Sequence, residues 1–183
     1  MTTVRTPERA LPTTAPEMTS RAAKANRYVA AAIRLSIGSV FLWAFFDKLL
    51  GLGHETPSEN AWIDGGSPTE GFLSFAVKGP FADAYQNIAG ATWADWMFMA
   101  GLLGIGVALT AGIAMRIAAA SGALLLFLMW SAVLPPDNHI FMDDHIIYAL
   151  VLVSLALTAA GHTLGLGKAW ERLPIVQRYP VLK

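Results

Sequence analysis

Four long apolar runs constrain this sequence more than any other feature. They cover about residues 28–50, 93–115, 117–134 and 142–161 of the 183-residue chain. A hydrocarbon core of roughly 30 Å is crossed by about 20 residues of helix, and each run approaches or exceeds that length. Because lipid offers no water to an exposed backbone, such a segment crosses as a helix. The sequence therefore predicts an all-α integral membrane protein built as a four-transmembrane-helix bundle.

The composition excludes several other classes of protein. Only 14% of the residues are charged, whereas soluble domains carry roughly 25%. The formal net charge is zero, so the chain lacks the basic field that nucleic acid binding requires, and we predict no nucleic acid partner. The absence of cysteine excludes thiol–disulfide chemistry and cysteine-ligated metal centres carried by this chain. A partner that has thiols stays open.

Three polar segments flank or interrupt the apolar runs. Residues 1–27 show no hydrophobic periodicity and predict a disordered tail, and residues 162–183 predict a short basic tail. The 51–92 connection is too long for a plain loop. It contains two proline-bearing helix-start patterns, at 56–59 and 67–70. We favour short interfacial helices lying on the bilayer, and the alternative is a lid over a lipid-accessible pocket.

Basic residues set the predicted orientation. Both tails and the short connection between the second and third runs are basic, whereas the 51–92 loop is acidic. Since cytoplasmic segments retain the excess of lysine and arginine, we predict that both termini are cytoplasmic and that the loop is extracytoplasmic. Small residues on one face of the second run predict close helix packing there. They are Ala100, Gly104, Ala108 and Gly112.

Charged residues gather where the outer ends of the four runs are predicted to meet. The set comprises Asp47, Lys48, Asp95, His139, Asp143, Asp144 and His145. Placing a charge inside the membrane costs about 2.5–3.5 kcal/mol of free energy on insertion scales. A cluster of charges near the membrane edge therefore indicates either charge pairing or a functional role. In a structural interpretation, Asp95, Asp143 and Asp144 lie in the first turns of their helices and cap free N–H groups there. Lys48 then pairs with an acid or reaches the headgroups.

A functional interpretation centres on His145 beside Asp144. An imidazole near a carboxylate exchanges protons at physiological pH, which is what reduction or oxidation of a quinone demands. The predicted catalytic residues are His145, Asp144 and Asp47, and the predicted quinone-binding residues are Asp95, Lys48 and Trp43. We predict no metal, because ligation by the histidines and carboxylates would lack a distinctive spacing.

Arg34 is a charge within the first apolar run. Its neighbours at helical spacing include Ala30 and Gly38, and none of them is acidic. We favour a side chain that snorkels to the membrane surface. The alternative is a buried role between helices.

Several stretches resemble the DoxX family of small four-helix bacterial membrane proteins. Residues 34–38 and 41–49 are similar to that family's first helix, and residues 142–145 are similar to the polar start of its last helix. Residues 62–73 resemble the branch related to the DoxD subunit of thiosulfate:quinone oxidoreductase. The resemblance covers roughly residues 34–161. It implies a bacterial cytoplasmic-membrane protein that acts near the quinone pool, with a second redox subunit as partner.

Three functions follow as hypotheses. The leading one is a redox-associated membrane subunit of the thiosulfate:quinone oxidoreductase type, with proton-coupled quinone chemistry at the outer membrane face. The alternative is a non-catalytic membrane anchor or scaffold for a soluble redox or stress-response partner. A small transporter or channel ranks third, because no run is visibly broken and inverted repeats are not evident. Besides the lipid bilayer, a second copy of the chain is a further candidate partner.

Overall fold

A computed structural model of the chain describes residues 20–137 and 139–183. Within these ranges the chain is mostly helical and forms no strand. The α-helices are α1 (Ser20–Leu50), α2 (Glu70–Phe75), α3 (Ala82–Gln86), α4 (Thr92–Ala111), α5 (Met115–Ala132), α6 (Asp144–Leu157), α7 (Gly167–Trp170) and α8 (Pro174–Arg178). Short 3-10 turns connect them at Ser58–Asn60, Trp62–Asp64, Gly79–Phe81, Ala160–His162 and Pro180–Leu182. The prediction of a helical protein is confirmed.

Three helices, α1, α4 and α5, are long and apolar enough to cross a membrane. The predicted fourth crossing is shorter than expected, because α6 has 14 residues and so spans about 21 Å at 1.5 Å per residue. Asp143 caps its start, and Ala159 leaves the helix in the left-handed conformation soon after its end. Local capping therefore shortens the helix at both ends.

Two predicted tails contain regular structure. The prediction of disorder is wrong for residues 20–27, which belong to α1 and include good helix formers such as alanine; residues 1–19 lie outside the described part of the chain. The basic segment 162–183 holds α7 and α8, and its Val176 is fully buried. The backbone N–H of Arg116 donates to the backbone oxygen of Lys183 at 2.8 Å. The C-terminal segment therefore folds against the start of α5.

The long helices form two close pairs, α1 with α4 and α5 with α6. Glycines permit both contacts, since a β-carbon on Gly106 would lie 2.8 Å from Leu42 Cγ, and one on Gly122 would lie 2.6 Å from Leu152 Cδ1. The predicted small-residue face of the second run is confirmed as a packing surface at Ala108 and Gly112 and is wrong for its first half. Ala100 and Gly104 are exposed, because the rotation of α4 turns Gly106 toward α1 instead.

Arg34 does not snorkel. The side chain is fully buried, and its guanidinium donates to the backbone oxygens of Leu109, Thr110 (2.9 Å), Thr163 (3.2 Å) and Leu164 (2.8 Å). The last carbonyls of a helix lack partners within the helix and attract positive charge. Arg34 therefore ties α1 to the end of α4 and to the turn after α6, which is the buried interhelical role.

The 51–92 loop packs on the opposite end of the bundle, which we call the loop end. Its Leu73 and Val77 form a small apolar cluster with Ala132 at the end of α5. The N–H of Lys78 donates to the oxygen of Ala132 at 2.9 Å, and the Tyr85 hydroxyl donates to the oxygen of Leu128 at 3.0 Å. The start pattern at 67–70 leads into α2, whereas the pattern at 56–59 leads only into the 3-10 turn Ser58–Asn60. The short helices of the loop are α2 and α3, and their residues Leu73 and Tyr85 pack on protein.

Candidate functional site

Asp47 anchors the start of the loop. It lies in the last turn of α1, its side chain is 1% exposed, and its two carboxylate oxygens accept the backbone N–H groups of His54 (3.2 Å) and Glu55 (3.1 Å). Gly51, in the left-handed conformation, turns the chain back so that these donors reach it. The carboxylate thus holds the start of the loop to the end of α1.

Asp95 anchors the middle of the loop. It lies in the first turn of α4 and is 6% exposed. Its Oδ1 accepts the Ser67 hydroxyl at 2.8 Å, the Thr69 hydroxyl at 2.6 Å and the Thr69 N–H at 3.1 Å. The prediction that Asp95 caps its own helix is wrong, because Ala91 occupies the cap position and forms no side-chain bond. The carboxylate instead orders the turn that starts α2.

The pair formed by His145 and Asp143 is the clearest proton-transfer geometry at the loop end. Asp143 is the N-cap of α6, and its Oδ1 accepts the N–H of Ile146 at 3.3 Å, as predicted. Its Oδ2 lies 2.8 Å from His145 Nδ1. Both side chains are partly buried. Among the described residues, His145 Nε2 has no hydrogen-bond partner, so that nitrogen is free to meet a ligand.

Asp144, the predicted partner of His145, lies farther from the imidazole than Asp143 does. Its Oδ1 lies 3.7 Å from His145 Nδ1, and its side chain is 70% exposed. An N-cap carboxylate turns back over the next two or three residues, whereas a residue at the first helical position points outward. The cap pattern was therefore the signal that could have identified Asp143 as the closer partner.

An ordered turn leads into this pair. His139 Nδ1 accepts the N–H groups of Phe141 (3.1 Å) and Met142 (3.0 Å), so the turn uses that nitrogen. The indole N–H of Trp130 donates to the oxygen of Phe141 at 2.8 Å, and the two rings meet edge to face. Asp143, Asp144 and His145 each offer a ligand atom, all within 4.8 Å of one another, so this group is where a cation could be held.

The remaining predicted residues lie outside this pair. Trp43 is half exposed and makes an edge contact with the ring of His54 at 5.1 Å. Lys48 is partly buried and forms no ion pair within the described ranges. In the same ranges, no hydrogen bond or ion pair joins Asp47 or Asp95 to His145. The predicted single cluster is thus three separate groups of contacts at the loop end.

Sequence reasoning missed two features of the loop end. One is the ion pair of Lys78 with Asp137, which links the loop to the segment between α5 and α6. The other is a cavity of about 590 Å³ between the loop and the start of α4. Of the predicted site residues only Asp95 lines this cavity. Both features join residues far apart in sequence, and no local pattern marks them.

The fold and its polar groups define a class, a helical protein with three helices able to cross a membrane and a folded loop on one end of the bundle. No protein-family model, curated protein or solved structure matches the chain. The resemblance to the DoxX family therefore stays a prediction that rests on the residues quoted above.

Proposed function

We propose that the chain is the membrane subunit of a quinone-linked oxidoreductase of the thiosulfate:quinone type. In this proposal it lies in a bacterial cytoplasmic membrane with both termini in the cytoplasm, and α6 with its flanking turns completes a fourth crossing. The hydrogen bond between His145 Nδ1 and Asp143 Oδ2, at the start of an apolar helix, is the observation that supports it.

The chemistry assigns different roles to the two residues. A quinone gains two protons with two electrons, so a group near its oxygen must donate and accept protons. His145 is the proposed catalytic residue, because its Nε2 is free and an imidazole can both donate and accept a proton. Asp143 is a positioning residue that fixes the ring and stabilises the imidazolium. The exposed Asp144 exchanges protons with water.

The surroundings suit a quinone with an apolar tail. Ile140 is 90% exposed, and Phe141 and Ile147 are about half exposed beside the pair. These apolar surfaces lie next to polar atoms, which is the combination a lipid-soluble quinone requires. Asp47 and Asp95 are occupied as loop anchors, so we assign them no proton transfer. The electrons come from thiosulfate on a second subunit.

The first experiment measures thiosulfate-dependent quinone reduction in membranes that contain the chain and its co-expressed neighbours. His145→Ala should lower the rate by roughly 10²–10⁴-fold, the range for loss of a general acid–base. His162→Ala is the matched control, because His162 Nε2 lies 2.8 Å from Glu171 Oε1 at the other end of the bundle. It should keep the activity.

Two outcomes would contradict this function. An inactive wild type, shown to be intact and inserted, would remove the thiosulfate assignment. An equal loss in His145→Ala and His162→Ala would indicate a general structural effect instead of proton transfer.

A second candidate function is a non-catalytic anchor for a soluble partner. The folded loop supports it, because Asp47, Asp95 and Tyr85 hold the loop to three different helices of the bundle. A surface held at several points is suited to binding a partner. An anchor should tolerate His145→Ala and lose its partner when the loop is replaced by a flexible linker, as measured by co-purification.

A further inference from the structure

The cavity at the loop end has the size of a small-molecule site. Its volume is about 590 Å³, within the usual range of roughly 300–1,000 Å³ for such sites. Its polar wall includes Asp95, Glu70, Ser67 and Asn60, and its aromatic wall includes Trp62 and Phe75. None of Asp143, Asp144 and His145 lines it. The cavity is therefore distinct from the proposed quinone site.

The charge in the cavity is negative. Asp95 is nine-tenths buried, and its Oδ1 takes every hydrogen bond that the described residues give the side chain, which leaves Oδ2 available. Among the described residues the Glu70 carboxylate accepts no hydrogen bond, and it lies beside Gly90, since a β-carbon on Gly90 would be 3.6 Å from Glu70 Cδ. Within the described part of the chain, no lysine or arginine lines the cavity.

The helix ends at the cavity do not reverse this sign. The long helix α4 begins there, and the N-terminus of such a helix is equivalent to about half a positive charge, whereas α2 has only six residues. This partial charge is smaller than that of the two carboxylates. The cavity therefore stays negative and favours a cation.

The aromatic wall selects the kind of cation. Trp62 is held by an edge contact to Trp96, with ring centroids 4.7 Å apart, and Phe75 is 89% exposed at the rim. An aromatic face attracts an ammonium group and gives a hard metal ion no oxygen ligand. We propose that this cavity binds a small organic ammonium cation, either free or as the headgroup of a phospholipid.

The test titrates the full chain in uncharged detergent micelles with choline and follows the heat of binding. Choline should bind, and its neutral isostere 3,3-dimethyl-1-butanol should bind much more weakly. Glu70→Gln should raise the choline Kd about three- to tenfold, the range for one partly exposed charge. Asp95→Asn keeps the Oδ1 acceptor for the loop and removes the second negative charge of the cavity. It should also raise the choline Kd.

Asp83→Asn is the matched control, because it removes an exposed acid from the same loop that does not line the cavity. It should leave the choline Kd unchanged, as should His145→Ala, so this inference and the quinone proposal can fail separately. Equal binding of choline and the neutral isostere, no choline binding by folded protein, or equal effects of Glu70→Gln and Asp83→Asn would each overturn the inference.

Nanodiscs then identify the source of the cation. If phosphatidylcholine is the ligand, added choline should bind in phosphatidylglycerol discs and fail to bind in phosphatidylcholine discs. If the ligand is a free cation, choline should bind in both, and more tightly in the phosphatidylglycerol discs because their anionic surface concentrates cations.

Discussion

At the scale of single residues, Arg34 is the charge whose environment decides most about the bundle. Its guanidinium bonds only to backbone oxygens among the described residues, and its Nε is buried without a partner. The acceptors come from the ends of two separate elements. A buried cation is tolerated because four carbonyl oxygens accept its guanidinium N–H groups.

We predict that Arg34→Met destabilises the protein by roughly 3 kcal/mol, because it removes the hydrogen bonds to four buried or partly buried carbonyls, at about 1–3 kcal/mol each with partial relaxation. Thermal unfolding in detergent micelles measures the change. Arg116→Met is the matched control, since Arg116 donates one exposed side-chain bond, to Pro180. Its effect should stay below about 1 kcal/mol. Equal losses of stability in the two variants would contradict the conclusion that Arg34 links α1 to the end of α4 and to the turn after α6.

The residue scale also shows what a sequence can predict about the candidate site. The cap formed by Asp143 follows from a local pattern, and it was predicted. The partners of Asp95 are 26–28 residues away, and those of Arg34 are 75–130 residues away. Such contacts depend on which elements become neighbours, and no spacing along the chain contains that information.

At the scale of elements, the length of the apolar runs in the sequence predicts the long helices, whereas local capping decides the residues at which they begin and end. The second run was expected to extend to residue 115, but Gly112 adopts the left-handed conformation and α4 ends at Ala111. A four-residue repeat of small side chains marks a stripe on a helix without giving its rotation. In α4 the exposed stripe contains Gly104, and the packed stripe contains Gly106.

We predict opposite effects for alanine at these two glycines. Gly106→Ala places a β-carbon 2.8 Å from Leu42 Cγ and 3.0 Å from its backbone nitrogen, so the α1–α4 contact must open. The expected cost is about 1–3 kcal/mol. Gly104→Ala meets nothing within 4 Å and should stabilise α4 by up to about 1 kcal/mol through helix propensity. Thermal unfolding of both variants measures the two changes in stability. If both variants were stabilised, or both destabilised, the contact between α1 and α4 at Gly106 would be wrong.

At the scale of the whole molecule, the two ends of the bundle differ in structure and charge. The loop end carries the acidic loop and the pair formed by Asp143 and His145. The other end carries Arg34, the connection after Gly112 and the folded C-terminal segment. In the part of the chain that the structure describes, three helices are long and apolar enough to cross a membrane. The side on which the C-terminal segment lies therefore depends on α6 alone.

The cysteine-free sequence makes this dependence measurable, because each introduced cysteine is the single thiol in the chain. We predict that Asp83→Cys and Asp137→Cys react with a membrane-impermeant maleimide in intact cells. Lys168→Cys should react only after the membrane is permeabilised, since Asp137 and Lys168 flank α6 and the proposed fourth crossing separates them. The unmodified chain is the control for background labelling. Equal labelling of Asp137→Cys and Lys168→Cys in intact cells would mean that the 14 residues of α6 do not cross, and that the C-terminal segment lies on the same side as the loop.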